Sequence, residues 1–212
     1  MTFLRRAASA CALGLLVGLP TTAHAQRADS YTWKLGLDAG SMIFSTRSQG
    51  STVIPSAGAH ILVLARRSGL MFGVDEGFGS DERTTGGLIL FNDIRRYQAV
   101  MMAFPFRMAL EPYFGLGAGV MQVVGPRVDP VIQDPGDRAL LLATAKDAST
   151  SGFFTGLAGV QGRWKRLALF AQYQIHSSPS DDKLLKGPLH TFHAGLRIGL
   201  GSAKEGVRAG GY

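Results

Sequence analysis

Along most of this chain, apolar residues fall on every second position. In residues 31–44 the odd positions read Tyr31, Trp33, Leu35, Leu37, Ala39, Ser41 and Ile43. The even ones read Thr32, Lys34, Gly36, Asp38 and Gly40, until Met42 and Phe44 break the rule. A period of two is the mark of a strand whose faces meet different surroundings. Val53 to Arg66 sets Ile61, Val63 and Ala65 against Gly58 and His60, with Leu62 and Leu64 blurring the pattern. Leu70, Phe72, Val74 and Phe78 then oppose Met71, Gly73, Asp75, Gly77 and Gly79. From Gln98 to Leu110, Val100, Met102, Phe104, Phe106, Met108 and Leu110 oppose Ala99, Ala103 and Arg107. In PYFGLGAGV, Phe114, Leu116, Ala118 and Val120 face one way and Gly115, Gly117 and Gly119 the other. Phe153 to Trp164 is a sixth stretch. Leu167, Leu169, Ala171, Tyr173 and Ile175 oppose Arg166, Gln172, Gln174 and His176 in the seventh. Phe192, Ala194, Leu196, Ile198 and Leu200 oppose Thr191, His193, Gly195, Arg197 and Gly199 in the eighth.

The connections between these eight predicted strands alternate in length. Long ones run from Ser45 to Thr52, Gly79 to Arg95, Gly125 to Ser151 and Ser177 to Gly187. Short ones centre on Arg66-Arg67-Ser68, Ala109 to Pro112, and Trp164-Lys165-Arg166. A meander with tight turns at one end and long loops at the other predicts a small closed barrel, either soluble or membrane-spanning. The face opposite the apolar one decides between them. It is mostly glycine and alanine rather than the Lys, Glu and Thr of a water-facing sheet, and glycine on a solvated strand weakens it for no return. Facing the axis of a narrow barrel, glycine leaves room for long side chains crossing from other strands. The bare face is therefore expected inside, with Lys34, Asp38, Asp75, Arg107, Arg166 and Arg197 as interior charges that neutralise one another. The apolar face is expected outside against lipid. Tyr31, Trp33, Tyr97, Tyr113 and Trp164 near strand ends are the expected interfacial aromatics.

The first 25 residues change the picture of where such a barrel goes. Arg5 and Arg6 precede an apolar run from Ala7 to Leu19, Pro20 breaks it, and Ala23-His24-Ala25 offers a small-x-small cleavage pattern. That reads as a secretory signal over residues 1–25, too short to span a bilayer as a helix. The single cysteine, Cys11, lies within it, so no disulfide is expected in the exported part. The remaining units are a barrel over residues 26–200 and a polar, glycine-rich tail over 201–212. The net charge of +7, two of it from the signal arginines, comes with no long basic run, so nucleic acid is not an expected partner.

PYFGLGAGV after a tight turn, the eight-strand meander and the closing HTFHAGLRIGL resemble the OmpA/OmpX-like family of small outer-membrane β-barrels over nearly all of the exported chain. The resemblance implies an all-β, eight-stranded antiparallel up-and-down transmembrane barrel in a bacterial outer membrane, with an envelope-structural or surface-interaction role. It implies outer-membrane lipid and the barrel assembly machinery as partners. One departure stands out: the family's last strand carries a terminal aromatic, whereas here the tail beyond Leu200 ends in Tyr212.

No phosphate-binding or metal-binding motif is present, and no cofactor is implied. His60, His176, His190 and His193 sit on different strands or on opposite faces, and His190 and His193 differ in parity, so one strand cannot present both and no metal site is expected from spacing. His176-Ser177-Ser178 resembles the His-x-Ser pair of outer-membrane lipid A deacylases, which are also eight-stranded barrels. That resemblance implies Ser178 as nucleophile, His176 as its base, and Asp181 or Asp182 as the acid orienting the imidazole. Parity opposes it: His176 shares the inward face with Gln172 and Gln174, whereas a deacylase presents its site to lipid. A non-catalytic barrel is the expectation, with the acyl hydrolase and a narrow porin-like conduit for small solutes as alternatives. The loop 125–151, with Pro126, Pro130 and Pro135 before Ala139-Leu140-Leu141-Leu142-Ala143, is the place for a short helical cap or an extended wall, and for contact with a surface ligand.

Overall fold

The computed structural model describes residues 31–106 and 108–203. The expected signal segment, Arg107 and the end of the tail lie outside them, as does the side chain of Tyr31. One antiparallel sheet accounts for most of the described chain. Its strands are β1 (Tyr31–Thr46), β2 (Thr52–Ala65), β3 (Ser68–Thr84), β4 (Ile89–Ala103), β5 (Leu110–Val124), β6 (Arg127–Val128), β7 (Thr150–Trp164), β8 (Leu167–His176) and β9 (Leu185–Ala203). A helix, α1 (Pro135–Ala148), stands between β6 and β7. The two-residue β6 only extends the edge of β4. The other eight strands pair in chain order, and β9 returns to pair with β1 from Tyr31 opposite Ala203 to Thr46 opposite Leu185. The wall is thus a closed, eight-stranded up-and-down barrel, and over the span that all eight strands share each is paired on both sides.

β9 runs past Leu200 to Ala203, so the first residues of the expected tail belong to the wall. A larger difference lies between β3 and β4. Residues 79–95 read as a long loop, yet β3 reaches Thr84 and β4 starts at Ile89, leaving four residues between them. A register shift between Phe78 and Glu82, with Asp81 at φ 53°, bends the pair where alternation stops. Here Ser80 to Thr85 are polar on both faces while Ile89, Leu90 and Phe91 are all buried in sequence, so period two vanishes although the hydrogen-bond ladder goes on.

The breaks in alternation have a common cause. Met42 and Phe44, together with Ile54, Phe91, Ile94, Met121, Val123, Phe153, Leu184, Leu185 and Leu189, form a buried apolar cluster inside the barrel at its long-loop end. Leu62, Met71, Val100, Met102, Phe104, Tyr113 and Leu157 form a second one at the short-turn end. Polar side chains occupy the lumen between these two layers. The assignment of β4 is therefore reversed from the sequence expectation: Val100, Met102 and Phe104 point inward, while Ala99, Met101 and Ala103 point outward. Apolarity named the lipid side correctly elsewhere, but on this strand the plug is as apolar as the belt.

The bare face of β5 is inward, though no arginine fills it. A Cβ on Gly117 would collide with the carbonyl oxygen of Ala99 and lie 2.8 Å from the Val100 Cα. A Cβ on Gly119 would meet the Phe153 ring at 2.6 Å. Close approach of the neighbouring strand and apolar plug residues use the space. On β1, Gly36 does make room for a polar group, because the His60 ring lies over it.

At the long-loop end the connections brace one another. The Thr84 hydroxyl donates to the Leu184 carbonyl at 2.9 Å, the Arg83 amide donates to Gln49 Oε1 at 2.8 Å, and Arg83 pairs with Asp129 at 2.8 Å. Arg127 pairs with Asp81 across the β3–β6 gap. α1 starts at Pro135, with the Asp134 carboxylate accepting from the Asp137 amide at 2.9 Å, the arrangement that satisfies a free N–H of a first turn. Its Ala145, Leu141 and Leu142 pack on Ile89 and Val128, which seats the helix on the extended wall. The expected helical cap is therefore present, and β6 prolongs the wall as well.

Gly117→Val should lower the unfolding free energy by about 2–3 kcal/mol, since backbone atoms facing the new side chain cannot step aside. Gly152→Ala, whose Cβ would meet only the Gly119 carbonyl at 3.9 Å, should leave it unchanged. Urea titration of detergent-folded protein, read by the gel shift between folded and boiled barrel, measures both.

Candidate functional site in the barrel interior

Arg197 is the hub of the short-turn half of the polar layer. It lies on β9 with an inward side chain and is fully buried. Its Nε donates to His60 Nε2 at 2.9 Å, Nη1 to Gln161 Oε1 at 3.0 Å, and Nη2 to Gln172 Oε1 at 3.3 Å and the Tyr113 hydroxyl at 3.5 Å. The guanidinium also lies 4.0 Å from the Phe170 ring centre and 5.1 Å from that of Tyr113. A desolvated cation is thereby met by hydrogen-bond acceptors along its edges and by aromatic faces. Tyr113 donates onward to Gln172 at 3.1 Å, and Gln161 donates to Glu111 at 2.9 Å. Glu111 in turn pairs with Arg163 at 2.5 Å near the rim.

His60 links this hub to the carboxylates. Because its Nε2 accepts from Arg197, its Nδ1 carries the proton that it donates to Asp38 Oδ2 at 3.0 Å. Asp38 on β1 and Asp75 on β3 both pair with Gly58 on the intervening β2, and a Cβ there would fall 2.8 Å from Asp38 Oδ1 and still nearer Asp75 Oδ1. The missing side chain lets both carboxylates lean over the same spot. His193 of β9 completes the group, with Nδ1 at 3.4 Å from Asp38 Oδ1 and 3.7 Å from Asp75 Oδ1. Its other nitrogen, Nε2, meets the Ser56 hydroxyl at 3.0 Å. Asp75 Oδ2 accepts from Gln98 Nε2 at 3.1 Å and lies 3.2 Å from Arg96 Nη2, an ion pair whose N–H is not aligned as a hydrogen bond. Arg96 also donates to His176 Nε2. Asp38 Oδ1, His193 Nδ1, His176 Nδ1, both polar atoms of the Gln174 amide, and the hydroxyls of Thr155 and Thr191 are buried without a protein hydrogen-bond partner.

Of the charges expected inside, Lys34, Asp38, Asp75 and Arg197 are buried in the lumen. Arg166 is not: it is exposed in the β7–β8 turn, where Lys165 adopts φ 54° and neither turn residue can point into the barrel. Arg96, Glu111 and Gln161 are interior groups that the sequence reading passed over. Arg96 has the parity of Gln98 and was legible on that ground, but it fell between the loop expected to end at Arg95 and the strand expected from Gln98. Tyr113 is fully buried rather than interfacial, and its parity with Gly115 already assigns it to the inner face. Trp33, Tyr97 and Trp164 are exposed on the outer face. His190 also points outward, where its Nδ1 meets the Tyr173 hydroxyl at 2.6 Å.

His176 and Ser178 do not form a dyad. The His176 ring is buried, edge-on to Phe153 at 4.8 Å and bonded to Arg96, whereas Ser178 and Asp181 are exposed beyond the strand end. Among the described residues no hydrogen bond joins the imidazole to either serine. In the same loop, the Ser180 hydroxyl and a backbone amide hold the Asp182 carboxyl below its usual range. The Val131 amide, and after it Arg83, do the same for Asp129 in the loop before α1.

No protein-family model matches the chain, and a search of curated proteins finds no relative. Among solved structures, Neisserial surface protein A (NspA) matches at a TM-score of 0.57 and 17% identity, over 78% of this chain and 96% of that one. Ail, the attachment invasion locus protein of Yersinia pestis solved with the heparin analogue sucrose octasulfate, matches at 0.46 and 14%, over 80% and 99%. The outer membrane enzyme PagL matches at 0.41 and 14%, over 76% and 98%. The chain has the OmpA/OmpX-like fold of small outer-membrane barrels.

Replacing Arg197 by Met should lower the unfolding free energy by about 3 kcal/mol, because it strands the acceptors of His60, Gln161 and Gln172 in a dry interior. Arg166→Met should be neutral. Urea midpoints of the two variants in one detergent make the comparison.

Proposed function

We propose that this chain is an exported, non-catalytic barrel of a bacterial outer membrane whose braced outer end serves envelope structure or surface interaction. On this reading residues 1–25 direct export and are removed, residues 26–200 insert through the barrel assembly machinery, and lipid covers the outer wall. The observation that carries it is the coupling of a polar, sealed lumen to an apolar exterior. Leu37, Phe72, Met101, Leu116, Phe154, Leu169, Phe192 and Leu196 are all exposed, and they come from seven different strands. An apolar belt of that extent aggregates in water and suits hydrocarbon.

Closed apolar layers at both ends of the lumen favour a plugged barrel over a conduit. An inward His176 tied to Arg96 speaks against the acyl hydrolase. What remains for the exterior is the collar, where ion pairs tie the end of β3 to the 125–134 segment, hydrogen bonds hold the 85–88 turn and apolar packing seats α1, leaving Leu140 and Val131 exposed. A braced platform of this kind loses little conformational freedom on meeting a partner.

Nitroxide labels at Leu116 and Leu169 should be relaxed by lipid-soluble oxygen and shielded from a water-soluble nickel chelate; the reverse result overturns the membrane reading. Ser178→Ala should leave lipid A acylation, read by mass spectrometry, as it is in the wild type and in a strain lacking the protein. An acyl chain missing in the wild type but retained in both the variant and the strain lacking the protein would instead favour the hydrolase. Planar-bilayer recordings should show no discrete current steps.

A further inference from the structure

Asp38, Asp75 and His193 converge in the lumen with features that their role in a charge network does not use. One ligand atom from each of the three lies within 4.8 Å of the other two, and all three residues are over nine-tenths buried. Two atoms of the group, Asp38 Oδ1 and His193 Nδ1, have no hydrogen-bond partner although both are sealed from solvent and aimed at the same point. Buried polar atoms left this way are costly, so something is expected to lie between them.

A proton on His193 is one occupant, since it would sit between the imidazole and the two carboxylates. The separations of 3.4 and 3.7 Å fit that poorly, because a charge-assisted N–H to carboxylate bond is about 2.7–2.9 Å long. They fit the edge of a coordination tetrahedron: with metal–ligand bonds of about 2.0–2.1 Å, as for zinc, adjacent ligand atoms lie roughly 3.3 Å apart. We infer that Asp38, Asp75 and His193 form a binding site for one divalent transition-metal ion of the zinc class.

The surroundings of each ligand support this. Metal ligands are characteristically held from behind by a second hydrogen bond that fixes their orientation. Here Ser56 holds His193 through Nε2, His60 holds Asp38 through Oδ2, and Gln98 holds Asp75 through Oδ2. In every case the far atom is engaged and the near atom is turned to the common point. If His193 Nε2 carries its proton and donates it to the Ser56 oxygen, Nδ1 presents a lone pair rather than a hydrogen. The glycine at 58 supplies the space, since any side chain there would lie on both carboxylate oxygens. An imidazole beside two carboxylates suits zinc rather than calcium or magnesium, which favour all-oxygen sets. The fourth position is open to water. Such an ion would tie β1, β3 and β9 together across the lumen, and the apolar layers above and below it would make exchange slow once the barrel has closed. The inference stands whether the barrel is catalytic or not.

The test uses the chain refolded in detergent with Zn²⁺, with Co²⁺ or with chelator, then dialysed free of loose metal. Wild-type barrel should retain one zinc per chain by plasma emission, and the Co²⁺ form should show the visible d–d absorption of a tetrahedral nitrogen–oxygen site. Asp38→Asn and His193→Gln should lose the zinc, and Ser56→Ala should weaken retention by about tenfold. EDTA should strip the folded barrel slowly and the boiled one at once. Wild-type barrel that folds yet retains neither metal overturns the site, and so does equal retention by wild type and folded variants. Where the variants fail to fold, the wild-type cobalt spectrum decides alone: tetrahedral bands support the site and octahedral or absent bands overturn it.

Discussion

Closure of the sheet, through the pairing of β9 with β1, governs the rest of this structure. A strand has donors and acceptors along both edges, and only a closed ring satisfies them all without water. Once the ring is closed, the pleat divides every strand into an inner and an outer set, and each set must suit its side at every level of the barrel. The outer set answers with a nearly uninterrupted apolar surface. The inner set cannot be uniform, because eight strands leave a lumen that side chains must fill.

The filling is stratified. Apolar clusters lie toward both ends, and most of the charged groups lie between them, where partners are close and burial is deep. Low local polarity strengthens each contact in the middle and makes each missing one expensive. Arg197 meets this by engaging four acceptors and two aromatic faces. Asp38 meets it only in part, through His60 on one oxygen. The difference between those two residues is what separates a structural ion network from a group with capacity to bind something.

The same stratification bears on function. A plugged lumen directs attention to the ends of the barrel, and among the described residues only the long-loop end has structure of its own. There the wall rises past the apolar belt, β6 and α1 dock on it, and Arg83 and Arg127 pin the loops to one another. Rigidity at that end is built from exposed ion pairs and backbone bonds that carry no information about a partner's identity.

The strand count, the up-and-down order and the outward direction of Leu35, Leu116 and Leu169 were legible because alternation reports a difference between two surroundings. Where the surroundings stop differing, the signal goes with them. Residues 79–95 looked like a loop since Ser80 to Thr85 are polar on both faces and Leu88 to Phe91 are apolar on both, and β4 was turned around since its inner face is apolar too. Tyr113 and Arg166 show the limit at single residues: parity with Gly115 was enough to turn the first inward, but only the turn geometry at Lys165 takes the second out of the lumen. By itself the sequence determined which residues share a strand and which share a face, for those are local and follow from the pleat. That His193 meets Asp38 and Asp75, and that His176 meets Arg96 rather than Ser178, depended on the register of closure and on which side chains reach across the axis. Those are distances between residues far apart in the chain, and no local pattern encodes them.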